Sequence, residues 1–254
     1  MASYKTKAVV LKTYDLGEAD KIVKLFSGEH GPIDSVAKGA RKIKSKFSGR
    51  LELFNFVDLE MSRGKNLDII TQADIIKNFP GISLDFNKFI FCQMISDVML
   101  KTHLSSENTG QVFKLIYLCF NEINSTSEIN DIKMAGSFFI AKFLKITGYA
   151  PRLAECQVCG HNIIGKDNFN FSIKLGGIVC DRCHQRSGNN TDSGAYLNSE
   201  KFGLLKYLFL RDLKTLKGCN WDASSADEVF KLLENYLKYH AELNINISSF
   251  LKRI

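Results

Sequence analysis

The 254 residues are 45% apolar and 24% charged, proportions that exclude a largely disordered chain and leave room for a sizeable core. A formal charge of +7 suits a polyanionic partner without requiring one. No N-terminal apolar segment and no run of about eighteen apolar residues is present, so the expectation is a cytoplasmic protein with neither export signal nor membrane span, whose cysteines are reduced thiols or metal ligands.

From the N-terminus, five short β-rich runs follow one another: Tyr4 to Tyr14, Lys21 to Phe26, Pro32 to Lys38, Phe54 to Met61 and Leu67 to Ala73. Gly28-Glu29-His30-Gly31 and Gly64-Lys65-Asn66 read as turns between them. No helical crossover separates the runs, so residues 1–80 are expected to close as a small barrel, the form of an OB-fold.

Between Asp34 and Glu52 there is no acidic residue, yet Lys38, Arg41, Lys42, Lys44, Lys46 and Arg50 all fall there. Glycines and serines give the segment loop character, and single-signed charge on a loop can follow a phosphate chain and release counterions. Arg63 and Lys65 in the next turn extend this DNA-binding candidate set. Phe54 and Phe56 read as core; Phe47, inside the basic run, is the aromatic expected to touch bases.

After residue 81 the apolar period becomes helical. Phe86 to Lys101, a segment through Val112, Leu115 and Cys119, and one through Phe138, Phe143 and Ile146 give three helices, with turns near Ser105-Ser106 and from Asn124 to Asn130. Gly148 and Pro151 end the third. Cys92 and Cys119 lie on apolar faces and, with Cys219, read as small buried side chains. Lys142 and Lys145 place positive charge on the third helix.

Residues 151–195 change character. Cys156-x-x-Cys159 and Cys180-x-x-Cys183 are two pairs twenty residues apart, the ligand spacing of a closed structural zinc site. Between them Phe169, Phe171 and Ile173 alternate, and Gly176-Gly177 turns the chain into Ile178-Val179, a hairpin that brings the second pair to the first as in a zinc ribbon. Four thiolates fill a tetrahedral shell, which argues against catalysis at the metal; a redox pair is disfavoured because neither pair is read as opening a helix after a strand. His161 and His184 read as loop residues beside the ligands. Ser187 to Gly194 is a polar loop, and helices follow at Ser199 to Arg211 and from Ser225 to Leu243, the latter with a capping box formed by Ser225 and Glu228. No phosphate-binding, hydrolase or metalloprotease motif is present, so no catalytic residue is assigned and a non-enzymatic role is expected. The fold class is α+β and multidomain: barrel (1–80), helical domain (81–150 and 196–254) and inserted zinc module (151–195).

The segment from Gly17-Glu18-Ala19-Asp20-Lys21 through Leu25-Phe26, then His30-Gly31 and Val36-Ala37-Lys38-Gly39-Ala40-Arg41-Lys42 with Lys44-Ser45, resembles the N-terminal signature of the RecO family of bacterial DNA repair and recombination mediators. Leu51, Phe54, Gly64, Leu67 and Gln72-Ala73-Asp74 also fall where that family has similar residues, and the resemblance extends over essentially the whole chain. It implies binding of single- and double-stranded DNA by the barrel, annealing of complementary strands and loading of RecA onto single strands coated by single-strand-binding protein (SSB). It also implies one structural Zn²⁺, RecR and the acidic SSB C-terminal tail as partners, the tail docking on the helical domain, and a place at the bacterial nucleoid when active. An alternative from another class is a zinc-ribbon adaptor for protein contacts in transcription or replication, with the basic loop incidental. A zinc-dependent hydrolase or deaminase is disfavoured by the four-cysteine shell and by the lack of an H-x-E motif.

Overall fold

The computed structural model describes residues 2–163, 168–186, 194–213 and 221–243, in two compact units, Met1–Ser127 and Glu128–Ile254. Most of the loop read at Ser187 to Gly194, and Cys219, lie outside the described residues.

Five strands open the first unit: β1 (Ser3–Leu16), β2 (Asp20–Ser27), β3 (Gly31–Ala37), β4 (Phe56–Ser62) and β5 (Asp68–Lys77). They close a barrel in the order β1-β2-β3-β5-β4, antiparallel except for the short β3–β5 pairing of Ser35 with Asp68 and Val36 with Ile69. This is the OB-fold expected from the sequence. Closure depends on β1, which pairs with β4 along Ser3–Val9 and with β2 along Ala8–Leu16. A register shift between Val10 and Lys12 bends the strand where it passes from one partner to the other.

Inward-facing Val10, Val23, Leu25, Ile33, Ala37, Leu59, Met61 and Ile70 fill the interior, and β3 shows the period of two most plainly, burying every second residue from Gly31 to Ala37.

Three helices complete this unit: α1 (Pro80–Ser83), α2 (Phe86–Lys101) and α3 (Ser106–Ser125). The Asp85 side chain caps α2 by accepting from the backbone N–H of Lys88 at 3.1 Å. The helices pack on the barrel through rings: Phe56 meets Phe79, Phe113, Tyr117 and Phe120, while Phe54 meets Phe89 and Phe120 edge-on. Phe54 has a φ of +70°, outside the strand it was expected to begin. Its N–H donates to the Val10 carbonyl at 2.8 Å, and the Asn55 carbonyl accepts from Val10 N–H at 3.0 Å, so two backbone bonds and two rings hold the uncommon conformation.

In the second unit α4 (Ile129–Ile146), α6 (Ser199–Leu210) and α7 (Ala223–His240) pack on one another. The capping box read at Ser225 and Glu228 does not form. Asp222 caps α7 by accepting from the Ser225 N–H at 3.0 Å, Ser225 is buried inside the first turn, and Glu228 pairs with Lys201 at 2.5 Å. An aspartate three residues upstream of a serine satisfies the same N-terminal donors, and here it starts the helix earlier.

Between α4 and α6 lies a small sheet of β6 (Asn168–Ser172), β7 (Gly177–Val179) and β8 (Ala195–Asn198), ordered β7-β6-β8, with the short helix α5 (Asp181–Arg186) after β7. The expected hairpin is therefore present, with a third strand added. At Gly177 a parallel bridge brings Arg152 alongside: Ile178 N–H donates to the Arg152 carbonyl at 3.1 Å, and Arg152 N–H to the Gly176 carbonyl at 2.9 Å. A Cβ at position 177 would lie 2.3 Å from the Arg152 carbonyl oxygen, a backbone atom with nowhere to go. In contrast, a Cβ at Gly203 inside α6 meets nothing within 4 Å. Gly177→Ala is therefore expected to destabilise the second unit by about 1–3 kcal/mol. Gly203→Ala should stabilise it by roughly 0.5–1 kcal/mol through helix propensity. Urea denaturation midpoints check both; equal shifts of the same sign would contradict the packing described.

Candidate nucleic-acid interface and metal centre

The basic segment between β3 and β4 is a series of turns rather than a free loop. Its two apolar anchors, Phe47 and Leu51, are 3% and 2% exposed and belong to the barrel core. The expectation that Phe47 touches bases is therefore wrong: a ring that closes the barrel gains more from burial than a surface ring does, and no face is left for a base to stack on. Phe54 and Phe56 are buried as expected.

Cations pin the same segment from both sides. Arg41 donates to the Gly17 carbonyl at 2.5 Å and pairs with Asp15 at 3.2 Å, while its backbone N–H reaches the Ala19 carbonyl at 2.9 Å. Gly39 N–H donates to Asp20 at 2.7 Å. On the other flank Lys46 donates to the Thr71 carbonyl at 2.6 Å, and Arg50 donates to the Ala73 carbonyl at 2.9 Å and pairs with Asp74 at 3.2 Å. The turn is thereby tied to the β1–β2 connection and to β5.

The remaining cations are differently placed. Lys38, Lys42 and Lys44 are exposed, with no carboxylate at ion-pair distance among the described residues, and Lys65 is exposed in the β4–β5 turn. Arg63 lies over the Tyr4 ring at 5.4 Å. Tyr4 donates to Asp68 at 2.5 Å, and burial, followed by that hydrogen bond, raises the phenol above its ordinary range. Two exposed side chains of this region escaped the sequence reading. Ile43 stands fully exposed between Lys42 and Lys44, and Tyr14 is 43% exposed with Lys12 5.2 Å over its ring. Alternation past the β1 register shift was the one available signal for Tyr14.

The four paired cysteines converge. Their sulfur atoms all lie within 4.8 Å of one another, and Cys159 Sγ is 3.8 Å from Cys180 Sγ. A tetrahedron with metal–sulfur bonds of about 2.3 Å has an edge of about 3.8 Å, so the cage matches a single ion. Backbone geometry favours thiolates there: Cys180 and Val158 N–H groups donate to Cys156 Sγ at 3.3 and 3.5 Å. Burial raises the Cys156 pKa, but backbone donors from Cys180, Cys159 and Val158 outweigh it and hold the thiol near 6. Cys183 moves the other way, to about 12, chiefly because it shares a hydrogen bond with Cys180.

At the second cysteine pair the chain departs from the expectation that neither pair opens a helix after a strand. Cys180 directly follows β7 and α5 begins at Asp181, so the second pair does open a helix after a strand. What separates this cage from a two-thiol redox site is the convergence of both pairs. His161 and His184 are exposed, and among the described residues no imidazole joins the four sulfurs. Cys92 and Cys119 are fully buried, and burial raises both thiols.

The second unit also holds a mostly apolar cavity of about 640 Å³, lined by Leu153, Ile163, Phe169, Phe202 and Leu210, with Lys145 and Lys206 among its walls. Lys145 donates to the Phe209 carbonyl at 3.3 Å, and Lys206 lies over the Phe202 ring at 5.4 Å. Lys142 donates to the same carbonyl at 3.0 Å, and burial followed by repulsion from Lys145 lowers its pKa. The cavity draws its walls from four separate segments, which no local pattern reveals.

Comparison with known proteins agrees with both halves of this architecture. The profile described as "Recombination protein O N terminal" matches residues 1–79, and "Recombination protein O C terminal" matches residues 83–247. A DNA repair protein RecO of Desulfitobacterium hafniense is 26% identical over 100% of this chain and 91% of its own length. Those of Bifidobacterium adolescentis and Clostridium novyi are 30% and 29% identical, covering 95% and 100% of this chain and 96% of each relative. With a closed five-stranded barrel, a helical region, a four-cysteine cage and profile matches along nearly the whole chain, this protein belongs to the RecO family of DNA repair proteins.

Proposed function

We propose that the chain is a recombination mediator that binds single- and double-stranded DNA, anneals complementary strands and helps load RecA onto SSB-coated single strands. Family membership supports this reading, and one observation carries it: Lys38, Lys42 and Lys44 stand exposed and unpaired by carboxylates on a turn anchored to the barrel. Arg41, Lys46 and Arg50 hold the turn in place, so the free lysines meet phosphates without the entropic cost of ordering a loop. Arg63 and Lys65 extend the phosphate path. Annealing then needs no bond chemistry; cations screen two polyanions while their bases search for complements. The protein acts in the bacterial cytoplasm at the nucleoid, and among the described residues no helix is long and apolar enough to cross a membrane.

The salt dependence of binding tests the lysines. If Lys38, Lys42, Lys44 and Lys65 each neutralise one phosphate of a single strand, log K should fall against log salt with a slope near roughly −3. Lys42→Ala with Lys44→Ala should bring that slope closer to zero by about 1.4, for all sequences alike. An unchanged slope and affinity would move the DNA path elsewhere.

The four-cysteine cage holds one structural Zn²⁺, which supplies a cross-link between the β6–β7 hairpin and the chain before it. The donor set supports zinc, since four thiolates leave no open position for chemistry. Elemental analysis should find about one zinc per chain, and Cys156→Ser or Cys180→Ser should lower the unfolding temperature while single-strand affinity persists. Folded protein with four titratable thiols and no metal would refute this assignment.

RecR and the SSB tail are the protein partners in this reading, and the second unit's cavity suits the tail: apolar walls for its apolar end, Lys145 and Lys206 for its acids. By calorimetry, Phe202→Ala should weaken binding of the tail peptide by about tenfold or more, and Lys206→Ala should weaken it chiefly at low salt. Full affinity in both variants would exclude the cavity.

A further inference from the structure

Phosphate contacts position a strand without touching its bases. Burial of Phe47, Phe54 and Phe56 removes the aromatic side chains that the sequence offers beside the basic run. The apolar groups left in the open there are Tyr14 and Leu16 on β1 and Ile43 on the turn; Tyr14 is the one aromatic ring among them, Ile43 the most exposed, and Arg41 links the segments that carry them. Its backbone N–H and guanidinium bind Ala19, Gly17 and Asp15, at the end of the hairpin whose first strand carries Tyr14. Two residues further along the turn, Ile43 is 100% exposed.

That exposure is not forced by an apolar-poor loop. The same short segment drives Phe47 and Leu51 into the barrel, while Ile43 remains outside, flanked by two exposed lysines. Tyr14 likewise lies past the register shift in β1, on the face opposite the core, in the row Tyr14–Ile22–Val36–Ile69 that successive strand pairings define across β1, β2, β3 and β5. All four are at least partly exposed. Lys12 beside the Tyr14 ring adds a cation suited to a phosphate next to a stacked base.

We propose that Tyr14 and Ile43 are the base-contacting residues of this barrel, Tyr14 as a stacking platform and Ile43 as an apolar cover for a base held out of its stack, and that their occupant is a single strand. This inference rests on DNA binding by the basic turn. A single strand fits because its bases are already partly unstacked, whereas a duplex must be opened at a cost of a few kcal/mol per step before either side chain can reach a base face. The pair thus confers a preference for single strands that the lysines, which read only charge, cannot provide.

The test uses the full-length protein and two single strands of equal length and charge, one of normal sequence and one without bases. Wild-type protein should bind the baseless strand, which loses both contacts, about 25- to 100-fold more weakly. Tyr14→Ala and Ile43→Ala should each weaken binding to the normal strand by about five- to tenfold, with an unchanged salt slope, and leave the baseless strand unaffected. Tyr14→Phe and Ile43→Leu should restore most of the loss. Equal weakening on both strands, or none on either, would overturn the assignment while leaving the lysine path intact. A wild-type protein that binds neither strand would instead overturn the DNA-binding reading itself, and this assignment with it.

Discussion

Burial of Phe47 and Leu51 inside the barrel is the contact on which the rest of the first unit depends. These residues close the interior left open by five strands, and in doing so they fix the path of the chain between β3 and β4. Arg41, Lys46 and Arg50 then find carbonyls and carboxylates on both flanks because the turn is already held within reach. The free lysines inherit their positions from that anchoring. A basic segment of the same composition without the two apolar anchors would present its charge on a mobile strand, with greater reach and a larger ordering cost for each phosphate contact.

The second unit solves a different problem. The described residues between α4 and α6 form three strands of three to five residues and one helix of six, too little structure to enclose a core of its own. Two supports compensate. The cysteine cage gathers Cys156, Cys159, Cys180 and Cys183, and the close approach of Gly177 to Arg152 ties the segment leaving α4 to β7. A third link comes from α7, where the His240 ring bonds the Ile173 carbonyl at 2.8 Å and lies beside Tyr236, whose own ring packs on Phe171. Burial pushes the Tyr236 phenol up to about 12.

Much of this was legible in the residues, for identifiable reasons. The period of two in β3 and the helical period of α3 and α4 each reflect a single buried face, and such patterns survive without knowledge of the neighbours. The cysteine cage was legible because metal geometry dictates spacing within each pair. Phe47 was misjudged because a loop residue carries no periodicity; only the open end of the barrel decides whether it is needed inside. Ser225 and Asp222 both match a helix start, and tertiary burial of Ser225 selected the aspartate. Tyr14 was hidden by the register shift in β1, which exchanges inside and outside partway along one strand.

The closed strand order has a consequence for how partners attach. A barrel in which β4 returns to β1 leaves one thinly paired seam, where β3 and β5 meet only at Ser35–Asp68 and Val36–Ile69. There Lys46 and Arg50 already take the Thr71 and Ala73 carbonyls of β5, so an extended peptide finds little free backbone to join. In the second unit the sheet ends in β7 and β8, of three and four residues, and the β7 margin is already engaged by Arg152. Backbone templating, the recognition mode least dependent on side chains, is thereby limited along the barrel to the β3–β5 seam that Lys46 and Arg50 cover, and confined to very short edges elsewhere among the described residues. Recognition by this protein falls instead to side chains that project from finished surfaces. Those can be tuned one residue at a time without disturbing the sheets that carry them, and they give stray β-prone chains little edge on which to nucleate aggregation.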